Sequence, residues 1–167
     1  MSYPSIFFSA RLEVMQLQRS KYNVGSDKDK RTYNGIVFDS VMEMKYYRDV
    51  VLPQVESGHI SKFELQKEYI LQPKFTHEGK NVRPIIYVAD FYIEYSNGCV
   101  EVIDVKGAAD SVAKIKRKMM WYSFPDLTYR WVTYVKKWGG WVDYEYVALQ
   151  RKNAKKKKDE GVIHEQD

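Results

Sequence analysis

The period of apolar positions changes several times along the chain, and each change marks an element. Residues 62 to 75, K-F-E-L-Q-K-E-Y-I-L-Q-P-K-F, partly alternate and predict a strand with Pro73 at an edge or bend. Residues 85 to 95, I-I-Y-V-A-D-F-Y-I-E-Y, are dense in β-branched and aromatic side chains and predict a second strand. After the turn signal Ser96-Asn97-Gly98, residues 99 to 106, C-V-E-V-I-D-V-K, predict a third, so the pair is expected to form a hairpin. Upstream, a helical period opens at Asp39 or Ser40, with Val41, Met44, Tyr47 and Val51 on one stripe and Pro53 or Gly58 to close it. Gly107 breaks the third strand. A second helix is expected from Ser111 to about Ser123, with Val112, Ile115, Met119 and Tyr122 on its apolar stripe. Residues 128 to 135, T-Y-R-W-V-T-Y-V, predict a fourth strand, and Trp141 to Leu149 suits a helix or a further strand. The order α-β-β-β-α-β implies an α/β fold, a mixed central sheet flanked by helices.

Length and charge divide this pattern into regions. A chain of 167 residues suits one main domain. Residues 1–34 form an N-terminal segment in which an apolar patch, Ile6 to Phe8, is a candidate dimer contact and residues 20–35 are expected to be a loop. Residues 35–150 make the domain, and 151–167 a charged tail expected to be disordered. The net charge is +5, but the last 17 residues hold six basic and four acidic side chains, leaving +3 on the first 150. The body is thus only mildly basic. Cys99 is the one cysteine, which excludes an internal disulfide framework and a Cys-rich zinc module. No apolar run approaches the roughly 20 residues that span a bilayer. The expected setting is soluble, reducing and cytoplasmic, with no membrane partner.

The hairpin carries ionisable groups where strands usually carry apolar ones. Asp90 interrupts an apolar and aromatic strand, while Asp104 and Lys106 stand two apart and so share a face. Register decides whether Asp90 joins them. A two-residue Asn97-Gly98 loop sets Asp90 opposite Val105 and turns it away from Asp104. A three-residue loop sets it opposite Lys106 and diagonal to Asp104, roughly 7 to 8 Å apart at the backbone. A metal site therefore requires the three-residue register, a five-residue loop of the same parity, or a bulge. Two aspartates with no histidine or cysteine beside them favour a hard cation, Mg²⁺ with Mn²⁺ as substitute. A lysine next to them suits metal-assisted phosphodiester hydrolysis, where it can orient water and meet phosphoryl charge. The same residues could also line a solvated sheet face.

The string Y-V-A-D-F, the hairpin, and V-I-D-V-K-G before a basic helix resemble the core motif of the PD-(D/E)xK nuclease superfamily, and closely its small phage-encoded endonucleases. The segments F-D-S-V-M-E-M-K-Y-Y, G-H-I-S-K-F-E-L-Q-K-E-Y and F-P-D-L-T-Y-R-W-V extend the likeness over about residues 30 to 135. Ala89 replaces the motif's proline, and Asp104 stands where many members have Glu. The resemblance implies a restriction-endonuclease-like core and a Mg²⁺-dependent endodeoxyribonuclease that resolves Holliday junctions or other branched DNA in phage recombination or replication. It implies Asp90, Asp104, Glu43 and the Val105 carbonyl as metal ligands, and Lys106 as the catalytic lysine. Ser40-x-x-Glu43 also matches a capping box, so Glu43 has a second reading. Lys114, Lys116, Arg117 and Lys118 on the second helix, with Gln66, are candidate DNA contacts; Tyr69 contacts DNA or packs. Symmetric junction cutting implies a homodimer, and a phage gene product would work in the cytoplasm of a bacterial host. Alternatives are a nuclease of the same superfamily serving restriction, transposition or packaging, and a non-catalytic DNA-binding protein.

Overall fold

The computed structural model describes residues 28–163, with side chains through 156. The Ile6 to Phe8 dimer contact lies outside the described residues. Strand β1 (Thr32–Tyr33) and strand β2 (Ile36–Val37) form a small hairpin where a loop was expected. Asn34 and Gly35 close it with positive φ of 50° and 77°, the conformation a tight two-residue turn demands. Phe38 follows as a buried residue, and its carbonyl accepts a hydrogen bond from buried Arg31. The domain therefore starts before residue 35.

Helix α1 (Val41–Tyr46) is capped by Ser40, whose hydroxyl accepts from the Glu43 amide at 3.1 Å. The chain does not stop at Pro53. Residues Tyr47–Val51 widen into a π turn, and helix α2 (Leu52–Glu56) carries the proline in its first turn. Proline has no N–H to give and crowds the carbonyl four residues back, and the wider turn before it relieves both problems. The same turn advances the phase of the helix. Of the predicted stripe, Met44, Tyr47 and Val51 are buried, with Tyr46 beside them, while Val41 in the first turn is 40% exposed.

The central sheet has five strands in the order β3-β6-β7-β8-β9. They are β3 (Ile60–Gln72), β6 (Ile85–Tyr95), β7 (Val100–Val105), β8 (Thr128–Val135) and β9 (Gly140–Asp143). Neighbours are antiparallel except β7 and β8, which are parallel and joined by helix α3 (Ser111–Ser123). This is the predicted mixed α/β arrangement, consistent with a restriction-endonuclease-like core. Strand β3 ends at Gln72, before Pro73, and strands β4 (Phe75–His77) and β5 (Lys80–Val82) then add an exposed hairpin that the sequence pattern did not predict. After β9, helix α4 (Tyr144–Ile163) takes in the whole basic run, so the expected disordered tail is helical as far as Ile163. Ala, Leu, Gln, Arg and Lys are all good helix formers.

Two hydrophobic clusters cover the two sheet faces. Met44, Tyr46, Tyr47 and Val51 pack with Phe91, Ile93, Ile103, Val105 and Val132 on one face. Met120 packs with Tyr69, Tyr87, Ala89, Val102, Tyr129 and Trp131 on the other. In β6, Tyr87 and Ala89 belong to the second cluster but Phe91 and Ile93 to the first, although all four have the same parity. Strand β3 switches too, from Phe63 and Leu65 to Tyr69 and Leu71. The reversal falls at Asp90 and at the facing Gln66, whose φ of 55° is rare for a side-chain-bearing residue in a strand.

Helix α3 has the predicted ends but is rotated, so that of the expected stripe only Met119 packs against the core. Val112, Ile115 and Tyr122 of the expected buried stripe are 58%, 58% and 89% exposed. Arg117 and Met120 are buried instead. The Arg117 guanidinium lies 4.3 Å from the Trp131 ring centroid and 4.6 Å from that of Trp121, and it pairs with Glu145. A long cation laid on aromatic faces can serve as a core residue.

Candidate active site

The β6–β7 hairpin places the acidic residues. Its innermost ladder pair is Glu94 with Val100, and the Tyr95 amide donates to the Cys99 carbonyl at 2.8 Å, closing a turn over Ser96, Asn97 and Gly98. Gly98 supplies φ of 85°, and the Asn97 side chain accepts from the Cys99 amide at 3.0 Å. The resulting register has the parity that the site requires. Continued from the Phe91–Ile103 pair, the register sets Asp90 directly opposite Asp104 rather than diagonal to it. The ladder stops there because the Asp90 side chain enters it: Oδ2 accepts from the Val105 amide at 2.8 Å. Its Oδ1 faces Gln66 Nε2 at 3.5 Å.

Asp104 is wholly buried. The Tyr87 hydroxyl donates to its Oδ1 at 2.5 Å. Its Oδ2 is paired with the Lys106 ammonium. The Lys106 side chain is 14% exposed, so it links this buried carboxylate to the rim, with its ammonium 5.4 Å from the Trp131 ring centroid.

Glu43 approaches from the α1 face and is also buried. Its carboxylate accepts from the Asp39 amide at 3.2 Å, one residue before the Ser40 amide that a capping box would use. The Ser40 half of that box is present as expected. Glu43 is pushed up to about 7, chiefly by burial, with Asp39 and Asp104 adding to the rise and a hydrogen bond with Ser40 opposing it. Asp90 is pushed well above the ordinary carboxylate range, first by burial and then by the charges of Asp104 and Glu43, against the pull of Lys106 and the Val105 amide. Each buried carboxylate makes the others costlier to ionise, and one ammonium is a poor match for three of them.

An oxygen-coordinated divalent cation fits this donor set. Asp90 and Asp104 are both buried, the Asp90 carboxylate is held at the Val105 amide next to Asp104, and oxygen donors suit a hard ion. Among the described residues no three His, Cys, Asp or Glu side chains converge closely enough to form a cage. Glu43 is held by the Asp39 amide, so what stands ready is a two-aspartate pair with Glu43 alongside. Of the Val105 peptide, the amide serves to anchor Asp90.

The candidate DNA contacts divide. Lys114 and Lys118 are exposed on α3. Lys116 donates to the Ile86 carbonyl at 2.8 Å and Arg117 is buried on tryptophan, so the fold takes up both as structural cations. Gln66 faces Asp90, inside the site rather than out on a nucleic-acid surface. Tyr69 packs edge to face on Phe124 with ring centroids 5.2 Å apart. Glu101, which parity puts on the other strand face from Asp104, pairs with Arg130 at 2.8 Å and accepts from Tyr95 at 2.9 Å.

The sequence pattern missed the groups behind Asp104. Tyr129 donates to the Tyr87 hydroxyl at 2.6 Å, and the Trp131 indole donates to Tyr129. Their signal was a strand placing polar-tipped aromatics on alternate positions, Tyr129 and Trp131, beside an acidic strand. No curated protein matches the chain. Residues 19–140, well over half of its length, match the model of a family described as protein of unknown function, DUF1064, and the chain belongs to that family.

Proposed function

We propose that the protein is a metal-dependent DNA endonuclease, and that branched DNA such as a four-way junction is its substrate. The observation that carries the proposal is the buried Asp90 carboxylate, held at the Val105 amide, beside a wholly buried Asp104 that pairs with Lys106. A merely solvated sheet face would leave these groups in water. The resemblance of Y-V-A-D-F and V-I-D-V-K-G to the nuclease motif supports the same reading.

Asp90, Asp104, Glu43 and the Val105 carbonyl would hold Mg²⁺, with Mn²⁺ as substitute. When bound, the ion supplies Lewis acidity toward the scissile phosphate and lowers the pKa of water. The chain's own residues do the rest. Asp90, tied to the Val105 amide, keeps the two strands at a fixed separation. The Lys106 ammonium, anchored by Asp104, points a cation from the buried pair toward the rim, where it can orient water and meet negative charge on the phosphoryl oxygens. Water adds to phosphorus, the bond to the 3′ oxygen breaks, and that oxygen leaves as a hydroxyl once protonated, giving 5′-phosphate ends. Lys114 and Lys118 are placed to contact flanking phosphates, which fixes position without reading sequence. Symmetric junction cleavage further proposes a homodimer.

The test compares cleavage of junction, flap and linear duplex DNA with Mg²⁺, Mn²⁺ or Ca²⁺, using wild type, Asp104→Asn and Lys106→Ala. Wild type is expected to cut junctions fastest, and each variant to lose at least about a thousandfold in rate while still binding DNA. Equal cutting by wild type and Asp104→Asn would remove the catalytic assignment, and faster cutting of linear duplex would remove the junction preference.

A further inference from the structure

Behind Asp104 lies a hydrogen-bonded chain that spans three strands. Tyr87 comes from β6, Asp104 from β7, and Tyr129 and Trp131 from β8, where Trp131 is the direct ladder partner of Asp104 and Tyr129 that of Val102. All four side chains are buried. The chain has one direction. An indole N–H can only donate, and Trp131 donates to the Tyr129 oxygen, with a longer contact of 3.3 Å to Tyr87. The Tyr129 proton is thereby left to Tyr87, at 2.6 Å, and the Tyr87 proton to Asp104 Oδ1, at 2.5 Å. An ionised carboxylate is acceptor-only, the natural end of a chain of donors.

We propose that Tyr87, Tyr129 and Trp131 are positioning residues for Asp104: they occupy Oδ1 and present Oδ2 as the single oxygen turned to Lys106 and a metal ion. This rests on the endonuclease reading, and it adds that Asp104 acts through one defined oxygen. A carboxylate free to rotate could offer either oxygen or both, whereas one pinned by a charge-assisted hydrogen bond offers a single geometry. Trp131 has a second part in it, because the Lys106 ammonium lies 5.4 Å and the Arg117 guanidinium 4.3 Å from its ring centroid. The indole that starts the donor chain also faces the cation at its far end.

The test measures Mn²⁺ affinity by calorimetry, together with kcat and KM for junction cleavage, in wild type, Tyr87→Phe, Tyr129→Phe and Val102→Ala. Tyr87→Phe keeps the ring and removes one hydroxyl, and it is expected to weaken Mn²⁺ binding about 10-fold to 100-fold, the range typical of groups that orient a metal ligand. The kcat should fall with it while KM for DNA stays within about twofold, since no DNA-facing residue changes. Tyr129→Phe, which leaves the Tyr87 bond intact, should show a smaller loss of the same kind and carries the test if Tyr87→Phe does not fold. Val102→Ala opens a hole in the same cluster and should lower stability without altering Mn²⁺ affinity. Wild-type Mn²⁺ affinity in folded Tyr87→Phe, or in Tyr129→Phe should it be the only folded one, would overturn the positioning role alone. A wild-type protein that neither binds Mn²⁺ nor cuts DNA would overturn the endonuclease reading and this role with it.

Discussion

The two faces of the central sheet bury aromatic residues to different ends. On the α1 face, ring meets ring: Tyr46 lies 5.2 Å from Phe91 and 5.0 Å from Trp141, and Tyr47 lies 5.2 Å from Phe38. There the Trp141 indole nitrogen is buried without a hydrogen bond. On the α3 face Tyr87 and Tyr129 also meet edge to face, at 5.5 Å, but their hydroxyls and the Trp131 indole are joined in a line that ends on a carboxylate. The first face converts aromatic area into cohesion. The second holds a charge in a dry place, which requires every polar tip along the line to be matched. Similar residue types thus serve packing on one side and chemistry on the other, and what separates them is where the polar tips go.

The largest effect should come from the packing face. Ile93→Ala, at a side chain 1% exposed, is expected to cost about 2–5 kcal/mol in denaturant unfolding. Mn²⁺ affinity measured well below the lowered Tm should remain that of wild type. A loss of affinity as large as that of Tyr87→Phe would mean that the two faces do not divide the work.

An intermediate effect concerns pH. Glu43 ionises near 7 in the folded chain against an ordinary 4.5, so between these values the folded state binds more protons than the unfolded one. Stability in chelator should therefore fall as pH rises from about 4.5 to 7 and level off above, each unit of displacement being worth about 1.4 kcal/mol. Asp90, displaced in the same direction, steepens the fall. Glu43→Gln should flatten the profile, and thermal melts across this range would show it. A wild-type Tm that climbs with pH would put the cost of the carboxylates elsewhere.

The smallest effect separates the cations of α3. Changing Lys114 and Lys118 together to Ala should leave Tm within about 1 °C and reduce the slope of log affinity for DNA against log salt by about 2, one contact each. Lys116→Ala should do the reverse, costing about 1 kcal/mol of stability through its lost bond to the Ile86 carbonyl with the salt slope unchanged. Identical behaviour of the two sets would show that burial does not sort them.

The legible part of the fold was what short-range pattern controls. Strand β6 and helix α3 begin and end where β-branched density, helical period and the Gly107 break put them. Asp90, Asp104 and Lys106 were legible because ionisable groups are conspicuous in apolar strands, and the hairpin's parity needed only the choice among loop lengths. What a one-dimensional pattern could not carry was long-range. Arg117 reads as a surface cation until Trp131, from another strand, offers it a face. The π turn before Pro53 is a local widening that no fixed period anticipates. The hydroxyl line needs three strands in register, and the polar tips of Tyr87 and Tyr129 say nothing until their partners are known.

The change of sides at Gln66 and Asp90 bears on how the molecule comes apart. Strands β3 and β6 each contribute to both hydrophobic clusters, so neither cluster can open without pulling on backbone that the other holds. The two are bound into one cooperative unit, and Asp90 sits at the crossing. Local fluctuation of the acidic pair is thereby tied to opening of the whole sheet, and the site inherits the lifetime of the fold rather than that of a loop.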